Sequence, residues 1–264
     1  MVRNSVLDIQ NKKGKEPITC IAAYTSPIAK MIDEYVDIIL VGDSLGMTVY
    51  GMKNTLGVTL DMMINHGKAV VNSTKKSLII VDMPFGVYEK SKEQALENCN
   101  KVINETGCDA VKLEVTKDLI PTIEFLTKNN INVVSHVGLI PQHVKELGGF
   151  KIQGRDEESA KEILDTAIGS QKAGAFAIVI EGVIETLATK ITNSVDIPTI
   201  GIGASPNCDG QVLVIDDILG IKQEYSPQFV KQYANLSDEI KRAVKNFTND
   251  VKTKKFPTKK HCFF

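Results

Sequence analysis

Eight short apolar runs recur along the chain and constrain its fold more strongly than any other feature of the sequence. The runs are rich in β-branched residues and apolar on both faces, a pattern typical of parallel strands that are covered on both sides. They span residues 18–23, 37–42, 78–82, 110–114, 132–136, 177–181, 198–202 and 212–216. The sequence therefore predicts a parallel sheet built from these strands.

Segments with the periodicity of an amphipathic helix lie between the runs. From Ile184 to Ile191, for example, apolar residues follow the i, i+3, i+4, i+7 spacing that places one apolar stripe on a helix. The same kind of pattern predicts helices over residues 59–75, 91–106, 119–129, 156–174, 184–194 and 227–248. The connection between the seventh and eighth runs carries only a weak helical pattern.

The alternation of strands and helices predicts a (β/α)8 TIM barrel of the α/β class, with a doubly wound open sheet as the structural alternative. A barrel of this kind uses about 250 residues, close to the 264 residues of this chain. We therefore interpret residues 1–264 as a single barrel domain that ends in a short basic tail at about 249–264.

Charge and cysteine content limit the classes of partner. The chain carries 31 Lys and Arg residues against 32 Asp and Glu residues, a net charge of -1, which argues against binding to nucleic-acid phosphates. It has no signal-peptide core and no stretch near the ~20 apolar residues of a membrane span. The cysteines are scattered without a C-x-x-C pair, which favours reduced thiols. We expect a cytoplasmic enzyme that acts on small molecules, without a membrane or nucleic-acid partner.

Carboxylates end or follow the second, third and fourth runs, at Asp43, Asp82 and Glu114. In a (β/α)8 barrel the C-terminal ends of the strands meet at one rim, where the active site lies. Three crowded carboxylates repel each other unless one takes up a proton or a cation neutralises them. Oxygen-only ligands favour a hard ion such as Mg²⁺. We predict a metal site from these residues, although each one taken alone could be a loop or helix cap.

Lys112 and His136 are the next polar residues at the predicted rim. Lys112 lies two residues before Glu114, so both side chains point to the same face of a regular strand. A lysine beside a metal suits a substrate carboxylate or a developing enolate, and a salt bridge to a neighbouring acid is the alternative. His136 ends the fifth run, and a hydrogen-bonded structural role is the simplest interpretation of a lone histidine there.

Glu181 ends the sixth run, AIVIE, one of the most apolar in the chain. Partial desolvation at such a position raises the pKa of a carboxyl and suits it to act as a general base. The alternative is an ion pair with a nearby lysine such as Lys172 or Lys190.

Several long motifs occur together and in a fixed order. They are VGDSLGMTVYG (41–51), VDMPFGVY (81–88), VKLE (111–114), HVGLIPQHV (136–144), GGFKIQGR (148–155), VIEGV (179–183) and GIGASPNCDGQVLVIDDILG (201–220). From about residue 18 to 248 the chain closely resembles the ketopantoate hydroxymethyltransferase family, also called the 3-methyl-2-oxobutanoate hydroxymethyltransferases.

This resemblance implies a (β/α)8 barrel that uses one Mg²⁺ per subunit and 5,10-methylenetetrahydrofolate as co-substrate, in pantothenate and coenzyme A biosynthesis. It implies a high-order homo-oligomer, a decamer or octamer. The implied metal ligands are Asp43, Asp82 and Glu114, and the implied proton acceptor is Glu181. The resemblance also implies a set of substrate-binding residues, namely Asp43, Ser44, Asp82, Lys112 and His136.

Two other functions share parts of this pattern. Mg²⁺-dependent barrels of the isocitrate lyase and phosphoenolpyruvate mutase kind also act on 2-oxo acid enolates, so the fold and the carboxylates alone do not separate them. A non-catalytic 2-oxo acid binding protein would keep Lys112 and Ser44 but would have no use for a base at Glu181. The long motifs favour the hydroxymethyltransferase.

Overall fold

A computed structural model describes residues 3–143, 151–221 and 227–263 of the chain. Within these residues, parallel strands close into a barrel in sequence order, each pairing with the next. The strands are β1 (Ile18–Ala22), β2 (Ile38–Val41), β3 (Leu78–Asp82), β4 (Ala110–Glu114), β5 (Val133–Gly138), β6 (Ala177–Glu181), β7 (Thr199–Ile202) and β8 (Gly210–Val214). The predicted (β/α)8 barrel is confirmed, and the open sheet is excluded.

Helices follow most of the strands, as the periodicity predicts. They are α1 (Val6–Gln10), α2 (Ser26–Ile32), α3 (Leu45–Thr48), α4 (Leu60–Val71), α5 (Lys92–Thr106), α6 (Ile120–Lys128), α7 (Glu157–Lys172), α8 (Glu185–Ser194), α9 (Ile215–Ile218) and α10 (Leu236–Lys252). Local signals set their ends. Ser91 caps the start of α5 by accepting a hydrogen bond from the Gln94 N–H, and Gly107, at φ 73°, ends it.

The last strand differs from its prediction, because β8 begins two residues earlier than the apolar run 212–216. Gly210 opens the strand, and a Cβ added there would lie 2.5 Å from the Ile18 carbonyl oxygen. Glycine therefore allows β8 to approach β1 closely, although it carries no strand signal of its own. Residues 215 and 216, predicted as strand, belong instead to α9.

The last helix also has bounds that differ from the predicted range 227–248. Helix α10 begins at Leu236 rather than at 227, because the Asn235 side chain caps it by accepting a hydrogen bond from the Asp238 N–H. The helix continues to Lys252, four residues beyond the predicted end at 248. Phe264 and the motif residues 144 and 148–150 lie outside the described residues.

The chain divides into two compact units, Met1–Leu213 and Val214–Phe264. The first unit holds strands β1 to β7 and all of β8 except Val214. Side chains of β2, β3 and β4 are buried along the whole of each strand. In the second unit α10 carries an apolar stripe on its exposed surface. The stripe consists of Ile240, Val244, Phe247 and Val251, which are each 46–58% exposed.

Candidate active site

The structure brings six of the seven predicted site residues into one network at the C-terminal ends of adjacent strands. The register pairs Asp82 with Lys112 across β3 and β4, and Glu114 with His136 across β4 and β5. Asp43, Asp82, Lys112, Glu114 and His136 are all buried. Because every strand runs in the same direction, these side chains share one rim.

Asp43 and Asp82 meet where β2 ends. The Asp43 N–H donates a hydrogen bond to Asp82 Oδ2 at 3.1 Å. Gly42, just before Asp43, leaves room for this contact, since a Cβ there would lie 2.9 Å from Ser44 Oγ and 3.5 Å from Asp82 Oδ2. The other oxygen, Asp82 Oδ1, is buried and accepts no hydrogen bond from the residues that the structure describes.

Lys112 provides the positive charge at the centre of the network. Its Nζ lies 3.2 Å from Asp82 Oδ1 and 3.2 Å from His136 Nδ1. Burial lowers the pKa of Lys112, but the carboxylates of Asp82, Glu114 and Asp43 outweigh burial and raise it above its usual value. Lys112 therefore stays protonated, and the salt bridge considered for it is present.

His136 connects Lys112 to Glu181. Burial and the Lys112 charge hold the pKa of His136 well below its usual value, so its ring is neutral. Because the Lys112 ammonium can only donate, His136 Nδ1 accepts from it, and the ring proton belongs on Nε2. Nε2 lies 3.3 Å from Glu181 Oε2. The neighbour of Glu181 is thus His136 rather than Lys172 or Lys190.

Glu181 is the most accessible carboxylate of the network, with a side chain that is 19% exposed. Burial raises its pKa to about 7, against the opposing effect of the Lys112 charge. A carboxyl with a pKa near 7 that a small molecule can reach has the properties of a general base at neutral pH.

Asp43 and Glu114 also favour the protonated form. Burial, followed by repulsion from Asp82, raises the pKa of Asp43 to about 7. Burial, followed by repulsion from Asp43, raises the pKa of Glu114 well above its usual value. One lysine does not balance this many buried acids, so the site has an excess of negative charge that a cation would relieve.

Gln142 is a residue of this site that the sequence analysis missed. It lies in a short 3₁₀ helix, Pro141–His143, that follows β5. Its Nε2 donates to Asp43 Oδ2 at 2.8 Å, and its backbone N–H donates to Glu114 Oε2 at 2.9 Å. Tyr88 in turn donates to Gln142 Oε1 at 2.5 Å. No strand-end pattern marks Gln142 or Tyr88, because neither residue lies at the end of a strand.

Ser44 lies next to Asp43 but takes part in a different contact. Its Oγ is 2.6 Å from the Tyr24 hydroxyl, and either oxygen can be the donor. Ser44 precedes α3 without capping it through its side chain. Its hydroxyl therefore lies beside the carboxylates without bonding to one, and its predicted role in substrate binding stays a prediction.

The predicted metal site also stays a prediction. In residues 3–143, 151–221 and 227–263, no three His, Cys, Asp or Glu side chains are grouped closely enough to hold a metal ion as they stand. The charge that faces Asp82 Oδ1 is the Lys112 ammonium.

Residues 3–259 match the family model described as ketopantoate hydroxymethyltransferase. The chain belongs to this family. It is accordingly an enzyme, a hydroxymethyltransferase. Curated relatives named 3-methyl-2-oxobutanoate hydroxymethyltransferase include one from Paramagnetospirillum magneticum, 52% identical over 99% of this chain and 95% of the relative. Another, from Rhizobium rhizogenes, is 50% identical over 99% of this chain and 96% of its own length.

Two solved structures with the same fold are much more distant from this chain in sequence than these relatives are. Phosphoenolpyruvate phosphomutase from Streptomyces platensis subsp. rosaceus is 10% identical, with a TM-score of 0.62 over 95% of this chain and 88% of that one. Phosphonopyruvate hydrolase, solved with oxalate and Mg²⁺, is 12% identical, with a TM-score of 0.62 over 98% and 93%. Identities this low show the barrel fold alone. No helix among the described residues is long and apolar enough to cross a membrane.

Proposed function

We propose that this enzyme transfers a hydroxymethyl group from 5,10-methylenetetrahydrofolate to 3-methyl-2-oxobutanoate and so forms ketopantoate, as a step of pantothenate and coenzyme A biosynthesis. The observation that carries the proposal is the identity of about half the residues over nearly the full length of curated relatives of that name. The rim network supplies the groups that the reaction needs.

Asp43, Asp82 and Glu114 would hold a Mg²⁺ ion. They fit such an ion because their donors are all oxygen and because burial raises the pKa of Asp43 and of Glu114. Phosphonopyruvate hydrolase, a barrel of the same fold, has been solved with oxalate and Mg²⁺. When bound, the ion would polarise the carboxylate and keto oxygens of the 2-oxo acid as a Lewis acid.

Glu181 would remove the proton from C3 of the oxo acid. Its carboxylate accepts the proton. One water molecule hydrolyses the methylene bridge of the folate, so both carbon–nitrogen bonds break and tetrahydrofolate leaves with a proton on each nitrogen. C3 bonds to the released carbon, whose oxygen comes from that water and takes up the proton held by Glu181. The neutral His136 ring lies beside that carboxylate, with Nε2 3.3 Å from Glu181 Oε2. Lys112 would pair with the substrate carboxylate, and Ser44 and His136 would complete the binding site.

Product analysis tests the proposal directly. Purified enzyme with Mg²⁺, 3-methyl-2-oxobutanoate and methylenetetrahydrofolate should form ketopantoate and tetrahydrofolate in equal amounts. Omission of the folate should abolish carbon transfer yet leave exchange of the C3 proton. Asp82→Asn should abolish both reactions, because it removes a metal ligand. Consumption of the oxo acid without folate would instead indicate a lyase or a mutase.

We also propose that the enzyme is a cytoplasmic homo-oligomer. The free thiols of its cysteines suit a reducing compartment. The apolar stripe of α10, in which Phe247 is 57% exposed, suits a contact with a second copy of the chain. Phe247→Glu should raise the dissociation constant of the oligomer by about thirtyfold, as expected for an interface hot spot. Sedimentation velocity measures this change, and Lys245→Glu on the polar face is the control.

A further inference from the structure

Gln142 makes four hydrogen bonds within the candidate active site, through its side-chain amide and its backbone N–H. Its Nε2 donates to Asp43 Oδ2 at 2.8 Å and to the Met83 carbonyl at 2.9 Å. Its backbone N–H donates to Glu114 Oε2 at 2.9 Å, and its Oε1 accepts from Tyr88 at 2.5 Å. The residue is only 4% exposed, so these bonds are shielded from water. One glutamine thus ties the loops after β2, β3 and β5 to the end of β4.

These bonds complete a pattern in the three predicted metal ligands. Each carboxylate has one oxygen held by an uncharged N–H donor. Gln142 supplies two of the donors, to Asp43 Oδ2 and Glu114 Oε2, and the Asp43 backbone supplies the third, to Asp82 Oδ2. A held oxygen fixes the plane of its carboxylate and so directs the second oxygen. An uncharged donor does so without competing with a cation for charge.

The direction of the Gln142 amide is itself determined. With the opposite amide orientation, an oxygen would face the carboxylate of Asp43 and the carbonyl of Met83, which offer no proton. Tyr88 adds to this, because its hydroxyl lies near two acceptors, Gln142 Oε1 at 2.5 Å and the Glu114 carbonyl at 3.4 Å, and therefore acts as the donor.

We propose that Gln142 is a positioning residue for the metal site: it orients Asp43 and Glu114 toward the cation, and Tyr88 holds the Gln142 amide in the orientation that this requires. The inference rests on the proposed function, since it takes these carboxylates as ligands. Gln142 touches neither the cation nor the substrate. It acts on the affinity of the site for the cation, which can be measured without turnover.

Binding of Mn²⁺ to the full-length protein, followed by the EPR signal of the free ion, tests this role. Gln142→Met keeps the side-chain length and the backbone N–H to Glu114 but removes the donor to Asp43. The dissociation constant for Mn²⁺ should rise about tenfold or more, the usual effect of losing a partner of a metal ligand. Tyr88→Phe should raise it about fivefold, because one hydrogen bond is lost.

A matched control is Gln171→Met. Both atoms of the Gln171 amide also make hydrogen bonds: Nε2 donates to the Asp196 carboxylate, and Oε1 accepts from the Asp196 N–H. Gln171 lies on α7 and contacts none of the predicted metal ligands through these bonds. Its Mn²⁺ affinity should equal that of the wild type. A general loss of stability would lower the melting temperature of both methionine variants, whereas a positioning role moves the dissociation constant only in Gln142→Met.

Three results would overturn the inference, each in a way that can be distinguished from the others. If Asp82→Asn loses Mn²⁺ but folded Gln142→Met binds it as the wild type does, Gln142 has no positioning role and the proposed function stands. If Asp82→Asn binds Mn²⁺ as the wild type does, the proposed metal site is wrong and the inference fails with it. Should Gln142→Met not fold, an unchanged affinity in Tyr88→Phe would overturn the role of the held amide.

Discussion

Two carboxylates at the N-terminal end of the barrel, Asp37 and Asp209, differ in their properties from Glu181 at the C-terminal rim. At the C-terminal rim, burial raises the pKa of Glu181 to about 7. At the N-terminal end, Asp37 precedes β2 and Asp209 precedes β8. Burial raises the pKa of both of these, but hydrogen bonds outweigh burial and leave each pKa below its usual value. All three residues are carboxylic acids, so their surroundings decide whether the pKa is raised or lowered.

The difference lies in the donors. Asp209 accepts from Lys13 Nζ and from the Thr199 N–H, each at 2.8 Å. Asp37 accepts from the Thr19 N–H at 2.9 Å and pairs with Lys12 Nζ at 2.8 Å. The rim acids instead share Lys112 and have few other donors. Asp37 and Asp209 therefore stabilise the fold, whereas the ionised forms of Asp43, Glu114 and Glu181 make folding less favourable and are available for chemistry.

The largest expected effect is on Glu181. In Glu181→Gln, exchange of the C3 proton of 3-methyl-2-oxobutanoate, followed by NMR without folate, should fall by about 10²-fold or more because the base is lost. The free energy of unfolding at neutral pH should not fall, since a carboxyl with a raised pKa does not favour folding when ionised. Glu185→Gln, on α8 and bonded to Ser205, is the matched control. Wild-type exchange in Glu181→Gln would place the base elsewhere, with His136 the next candidate.

A smaller effect is expected from Lys112→Ala. The KM for the oxo acid should rise about tenfold, the usual loss for a hydrogen bond to a charged group, while the KM for the folate should hold. Steady-state kinetics with each substrate varied in turn measures both constants. Lys101→Ala, which breaks an exposed ion pair with Asp61, should change neither. A rise in the folate KM alone would contradict the role assigned to Lys112.

At the opposite end of the barrel, Asp209→Asn should change stability and leave chemistry intact. The free energy of unfolding at pH 7 should fall by about 1 to 2 kcal/mol, because the charge-assisted hydrogen bonds to Asp209 are weakened. Urea denaturation measures this loss. The kcat at saturating substrates should match that of the wild type. A large fall in kcat would contradict the assignment of Asp209 to stability rather than to catalysis.

The smallest effect concerns how that stability depends on pH. Because the pKa of Asp209 is lower in the folded chain, its contribution is present above the unfolded pKa of about 4 and is lost as the pH falls through the folded pKa. The difference in stability between the wild type and Asp209→Asn should therefore shrink below about pH 4. Urea midpoints measured from pH 7 to pH 3 would show it. A constant difference would mean that Asp209 acts through its shape alone.

Most of the barrel could be predicted because its signals are local. Strands β3, β4 and β6 coincide with the runs 78–82, 110–114 and 177–181, where uninterrupted apolar residues mark the strand. The run for β8 is shifted because its first residue, Gly210, is chosen by the approach of Ile18, which is remote in sequence. The start of α10 depends on the cap at Asn235, which an apolar pattern does not show.

The candidate site divides in the same way. Asp82 and Glu181 could be predicted because each one interrupts an apolar run at its end. Gln142 could not, because its partners Glu114 and Asp43 are 28 and 99 positions away in the sequence. The motif HVGLIPQHV contains Gln142, but it does not show these partners, which the closing of the barrel brings close.

The bonds of Gln142 also bear on how such an enzyme can be altered. The loops at the rim of a (β/α)8 barrel are often independent of one another, which lets new activities arise by exchange of a single loop. Here the segment after β5 is joined to the segments after β2 and β3 through one buried amide. A loop graft that replaces 139–143 alone would leave Asp43 without its partner. In evolution or in engineering, the segments after β2, β3 and β5 therefore have to be exchanged together.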